Sequence, residues 1–143
     1  MFVEAFFANA VLASKHFPVD FVYLDDTSCA NMFSLPLVCV LCRDASSNVH
    51  TLARGVIKNR TTTTFCRFFN FVKNSFPTIA TFMCDRHFGQ RKAIRDVFGD
   101  GVSIFNCCVH ISRNIRANSG PNPTLHKAFW GCGTRGRRRL KTN

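Results

Sequence analysis

Two aspartates stand where a mixed α/β fold does chemistry. The segment Asp20-Phe-Val-Tyr-Leu-Asp-Asp-Thr27 reads as an apolar strand ending in acid, with Asp25 at its close. Thr78 to Cys84 reads as a second such strand, ending at Asp85. An acidic side chain at a strand end lies at the rim of the core, where ligands bind. Carboxylates paired on adjacent strands hold Mg²⁺ or Mn²⁺, because hard cations take oxygen ligands and leave positions open for phosphate and water. Two such ions about 3.5–4 Å apart support phosphoryl transfer. The plainer alternative is that strands tend to end in polar residues. Spacing alone does not separate the two.

A second constellation involves sulfur. Cys39-Val-Leu-Cys42 has Cys-x-x-Cys spacing, and with Cys107 and His110 it could make a tetrahedral zinc site. Residues three apart on a strand point to opposite faces, so both cysteines could join one site only if the strand bent or ended there. The eight cysteines (29, 39, 42, 66, 84, 107, 108 and 132) fall mostly inside apolar runs, where free Cys behaves as a small buried hydrophobe. That pattern indicates a reduced, intracellular protein rather than a disulfide framework. His16, His50, His87 and His126 lack partners at ligand spacing and read as surface or boundary histidines.

The elements that must position these residues follow from periodicity. Residues 4–16 carry Phe7, Val11 and Leu12 at helix-like spacing after Phe6, predicting a short helix. Residues 35–42 form a buried strand led in by Pro36, residues 43–48 a turn, and Val49 to Ile57 a third, weaker strand. Four threonines then precede Phe65, Phe68, Phe69 and Val72, a helical stripe with an N-capping residue before it. Phe88 to Phe98 predicts a second helix closed by Gly99-Asp-Gly101. A short strand follows from Val102 to Phe105, then a helix over about Cys107 to Arg116. Beyond Asn118 periodicity vanishes.

Composition sets the outer limits. The chain has 143 residues, 46% of them hydrophobic, with 16 Phe against one Trp and one Tyr. It can therefore build a core. No apolar run approaches the roughly 18 residues a bilayer demands. Glu4 stands where a secretory signal would carry Lys or Arg, so secretion is not expected. Residues 1–57 hold three basic and five acidic groups, and residues 58–143 hold sixteen basic and three acidic. A cationic half with scattered aromatics fits a polyanion, most simply nucleic acid, and the plainer alternative is a solvated basic surface with a frayed tail. Arg91, Lys92, Arg95 and Arg113 are the candidate DNA contacts.

The wording around the aspartates adds a resemblance. Leu24-Asp25-Asp26-Thr27, with Asn31 and then Leu35-Pro36-Leu37, resembles the opening of the transposase domain of Mutator-like elements (MULE transposases). That opening runs Asp-x-Thr, an Asn four residues after the Thr, and a Leu-Pro-Leu strand. Cys84-Asp85 followed by Ala93-Ile94 is similar to the family's second acidic position. Cys107-Cys-Val-His110 before Arg113-Asn114 is similar to its Cys-x-x-His ahead of a basic helix. The resemblance runs in unbroken order over about residues 5–117.

The resemblance implies a ribonuclease H-like fold and DNA cleavage with strand transfer by a DDE triad and divalent metal. Carried over by position, Asp25 would be the first catalytic carboxylate and Asp85 the second, both holding Mg²⁺ or Mn²⁺. Asp26 would be a solvent-facing neighbour, and Cys107 and His110 would lie near the active face. The family's third carboxylate is a Glu on a helix downstream of Cys-x-x-His, and the one Glu of this sequence is Glu4. Where the family often has an acid entering the helix after the third strand, this chain has Arg60.

The expected protein is thus a ribonuclease H-like core over residues 1–118. Its mixed sheet would have about five strands in the order βββαβαβα, with flanking helices and an incomplete C-terminus. Residues 119–143 are expected to be a basic, disordered tail. The expected function is that of a partial DDE transposase domain, inactive alone, in a nuclear or intracellular setting. Its partner would be transposon ends or non-specific duplex DNA, with no membrane and with an oligomer allowed. A non-catalytic DNA-binding remnant and a zinc-stabilised interaction module are the alternatives.

Overall fold

The protein is described here by a computed structural model covering residues 4–14, 18–27, 34–118, 124 and 127–130. In chain order the elements are β1 (Ala5–Ala8), α1 (Ala10–Ser14), β2 (Phe21–Thr27), β3 (Leu37–Arg43) and β4 (Val49–Val56). They continue with α2 (Thr62–Ser75), β5 (Thr81–Cys84), α3 (Phe88–Phe98), β6 (Ser103–Asn106) and α4 (Cys108–Asn118). The strands make one mixed, open sheet in the order β1-β4-β3-β2-β5-β6. Strands β2, β3 and β4 form the antiparallel meander, and β5 lies parallel to β2 after the α2 crossover. The described residues divide into two compact units, one up to Phe105 and one from Asn106 that includes α4.

The N-terminal expectation is corrected. Residues 4–14 form a strand followed by a short helix, rather than one helix, and the sheet has six strands instead of five. Strand β1 pairs antiparallel with β4, from Ala5↔Val56 to Ala8↔Ala53. Its Phe6 ring packs 5.4 Å from Phe68 and 5.8 Å from Phe71 of α2. Pairing with a sheet edge and burial of one Phe outweigh a weak local helical preference.

Burial alternates along the central strands, as a pleat requires. Val22 and Leu24 of β2, Val38, Val40 and Cys42 of β3, and Phe82 and Cys84 of β5 are buried on one face. Helices α2 and α3 cover that face. The expected stripe Phe65, Phe68, Phe69 and Val72 is fully buried, joined by Ala93 and Ile94 of α3. Phe69 meets Phe82 at 6.4 Å, and Phe82 meets Phe98 at 4.8 Å. Thr61 caps α2, its hydroxyl accepting from the Thr64 amide at 3.4 Å. Gly99 closes α3 at φ +92°, a conformation that favours glycine.

Strand β4 reads as weak in sequence for a geometric reason. Val40 pairs with Ala53 but Leu41 pairs with Thr51, so Leu52 is the extra residue of a bulge. Leu52 and Ala53 are both buried, which breaks the alternation. The bulge keeps Gly55 under α2, where a Cβ would come within 2.6 Å of the Phe68 ring.

Candidate active site

The first three residues of β2 pair in parallel with β5. Their parallel register runs Phe21↔Thr81, Val22↔Phe82 and Tyr23↔Met83, a constant offset of 60 residues. The pairing ends at Tyr23↔Met83, and the same offset continued two residues would bring Asp25 opposite Asp85. Asp25 is exposed and shares the face of Phe21 and Tyr23, opposite the face packed by the helices. Asp85 follows buried Cys84, is half-buried, and accepts a hydrogen bond from the Arg86 amide at 2.7 Å.

Asp26 is placed differently from expectation. It shares the helix-covered face with Val22 and Leu24, and it is no solvent-facing neighbour. Its Oδ2 lies 3.0 Å from Nε of Arg60, with the two side chains 16% and 34% exposed respectively. The pair is held by charge, since neither atom meets a hydrogen-bonding angle. Arg60 sits just ahead of α2 and so answers an acid that the strand turns inward.

The open face carries a cross-strand row that the sequence reading missed. Asp25 pairs with Cys39 of β3, and Cys39 pairs with Arg54 of β4. Paired residues of antiparallel strands share a face, so carboxylate, thiol and guanidinium stand in line. Burial pushes the Cys39 thiol up from its ordinary value, Arg54 lowers it, and Asp25 raises it further. Arg54 also reaches the Thr51 hydroxyl at 3.4 Å. Counting back from the turn at residues 44–48 could have aligned these residues, but for the bulge at Leu52.

The zinc constellation does not assemble within β3. Cys42 is buried on the helix-covered face and Cys39 lies on the open one. Among the described residues no group of three or more His, Cys, Asp or Glu is placed to hold a metal ion. Cys107 and His110 are half-buried at the start of the second unit, and Arg113 is exposed on α4. Of the other candidate DNA contacts, Arg95 is exposed and Arg91 half-buried, while Lys92 pairs with Asp96 at 2.9 Å. The tail at residues 131–143 lies outside the described residues.

Two histidines have structural work. His87 caps α3, accepting from the Gln90 amide at 3.3 Å, and packs edge-on against Phe65 at 5.6 Å. His50 Nε2 meets Asp44 Oδ2 at 2.8 Å across the β3–β4 hairpin.

No helix among the described residues is long and apolar enough to cross a membrane. No curated protein matches the chain. The sequence profile of the MULE transposase domain matches residues 21–114, from the first residue of β2 into α4. That span is more than half of the chain and contains both Asp25 and Asp85. The chain belongs to the MULE transposase domain family.

Proposed function

We propose that the chain carries part of a DDE-type transposase core on a ribonuclease H-like sheet, with Asp25 and Asp85 as its metal-binding carboxylates. One observation supports the reading: β2 and β5 pair in parallel from Phe21↔Thr81 to Tyr23↔Met83, a register that, continued two residues, would bring both aspartates to one level. Those two side chains suit a hard cation, because each offers carboxylate oxygens and the exposure of Asp25 leaves room for water and phosphate. Mg²⁺ or Mn²⁺ bound there would neutralise phosphate charge and lower the pKa of an attacking water or hydroxyl. The protein's own part is to hold the oxygens at two strand ends and to keep Asp26 out of the site through Arg60. DNA is the proposed partner, held through phosphates by Arg95 and Arg113 with lesser help from Arg91 and Lys92.

A third carboxylate is missing from the donor set, since no Glu follows Glu4. Two carboxylates can hold one ion, and two-ion catalysis requires both. The chain alone is therefore proposed to bind metal and DNA without strand transfer. The donor count also favours a second reading, a DNA-binding module that has no catalytic metal.

Titration with Mn²⁺, followed by calorimetry or electron spin resonance, separates the two. The first reading expects one Mn²⁺ per chain, lost when Asp25→Asn is combined with Asp85→Asn. Binding that survives the double variant, or a wild-type chain that binds none, would overturn it.

A further inference from the structure

We propose that Arg54 is a phosphate-binding residue for duplex DNA lying across the open face of the sheet toward Asp25, an inference that rests on the transposase reading. Three paired strands set the geometry. Asp25 of β2 pairs with Cys39 of β3, and Cys39 pairs with Arg54 of β4. Two strand spacings, about 9.6 Å in all, therefore separate the Asp25 and Arg54 backbones. That span is about three nucleotide rises of 3.4 Å along one DNA strand. A cation at this distance fits a phosphate a few nucleotides from the one that a metal at Asp25 would hold.

The bulge of β4 turns Arg54 this way. Leu41 pairs with Thr51 and Cys39 with Arg54, so Thr51 and Arg54 share the open face although they are three residues apart. In a regular strand such residues point to opposite faces. With both on one face, the Arg54 guanidinium donates to the Thr51 hydroxyl at 3.4 Å. Bulges recur beside active sites, where they re-aim a side chain. Here the re-aimed side chain is an exposed arginine, level with the first carboxylate.

Charge says which ligand suits it. By the strand registers the open face carries Asp25, Arg43 and Arg54, with Asp85 just beyond the end of β5. Arg43 stands at the hairpin end of β3, four residues from Cys39. None of the ion pairs among the described residues takes Arg54. After burial, the Cys39 thiol responds to Arg54 and then to Asp25, with opposite sign, so both charges lie close to one sulfur. The carboxylates alone would repel DNA. A divalent ion cancels their charge and leaves Arg54 as an added positive charge on the row. Phosphate is the matching anion, since a planar guanidinium bonds two phosphate oxygens at once. DNA affinity should thus depend on Arg54 most when metal is bound.

The test uses the full 143-residue chain and a labelled duplex, read by fluorescence anisotropy with and without Mn²⁺. Arg54→Gln should weaken duplex binding in Mn²⁺ roughly 10-fold, the size of one hydrogen bond to a charged group. Its salt slope should be shallower by about 0.9, the share of one phosphate contact. Arg54→Lys should restore the slope, because the charge returns, and only part of the affinity, because the fork does not. Without Mn²⁺ the loss should shrink to that of Arg43→Gln, which removes the same charge from the hairpin end. By calorimetry, the DNA-free Arg54→Gln chain should bind Mn²⁺ no more weakly than wild type. Equal duplex affinity for Arg54→Gln and wild type, or a loss in Mn²⁺ no larger than that of Arg43→Gln, overturns this inference alone. So does weakened Mn²⁺ binding by the DNA-free variant, which would make Arg54 a support of the carboxylates. A wild-type chain that binds Mn²⁺ and no duplex overturns the inference and leaves the metal site standing. One that binds no Mn²⁺ removes the transposase reading and this inference together.

Discussion

Asp25 and Asp26 are neighbours of the same chemistry with different surroundings, because successive side chains of a strand leave by opposite faces. Asp26 turns toward α2 and meets Arg60, while Asp25 turns to the open face and stands in line with Cys39 and Arg54. The two should therefore respond differently to the same substitution. Arg60→Met leaves a half-buried carboxylate without its cation and should cost about 1–2 kcal/mol in urea unfolding. Combined with Asp26→Asn it should cost less than the sum of the single changes, since the two residues share one interaction. Asp25→Asn should weaken Mn²⁺ binding and cost less stability than Asp26→Asn. Equal stability losses from Asp25→Asn and Asp26→Asn would contradict this division of roles.

Among the elements, β4 is the one whose details depend most on its neighbours. Its bulge turns Leu52 and Ala53 both inward and brings Gly55 directly beneath Phe68. Phe68 is fully buried between α2 and the sheet and has nowhere to move. Gly55→Ala should destabilise the protein by about 1–3 kcal/mol through overpacking, measurable by thermal or urea melts. Phe68→Leu should recover part of that loss in the double variant, and a neutral Gly55→Ala would refute the close contact.

The β3–β4 hairpin carries a pH dependence of its own. Hydrogen bonds from His50 and then from the Asn48 side chain and amide lower the Asp44 carboxyl from its ordinary 3.8 to about 2. A carboxyl lowered in the folded state contributes stability that is present above its unfolded value and lost as pH falls through the folded one. The hairpin should thus loosen between about pH 4 and pH 2, seen as loss of amide protection at Asn48. Asp44→Asn should remove that step. A hairpin whose protection is unchanged across this window would show that the pair adds nothing.

At the scale of the whole molecule the charge asymmetry matters most. Residues 58–143 carry sixteen basic groups against three acidic ones. Binding to duplex DNA should be weak, indifferent to sequence and steeply salt-dependent. Engagement of two to four phosphates implies a loss of roughly 10- to 150-fold between 50 and 200 mM salt through counterion release. A flat response would exclude phosphate contact as the source of affinity. The same preparation should not nick supercoiled DNA in Mn²⁺ above background, given a single Glu at position 4. Nicking that disappears in Asp25→Asn would show that two carboxylates suffice.

The sequence by itself determined the central meander, the Phe stripe of α2, and the span of α3 from Phe88 to its Gly99 stop. These are local properties: side-chain period, capping chemistry and breaker residues act within a few positions. The opposed directions of Cys39 and Cys42 followed from the same period. Tertiary structure decided the rest. Residues 5–8 became a sixth strand because β4 offered an edge and α2 offered Phe68 and Phe71, partners 45 or more positions away. Asp26 exchanged solvent for Arg60, and Arg54 came into line with Cys39 and Asp25, through registers that a one-residue bulge resets. Strand register is a relation between distant segments, and no periodicity within a single segment encodes it.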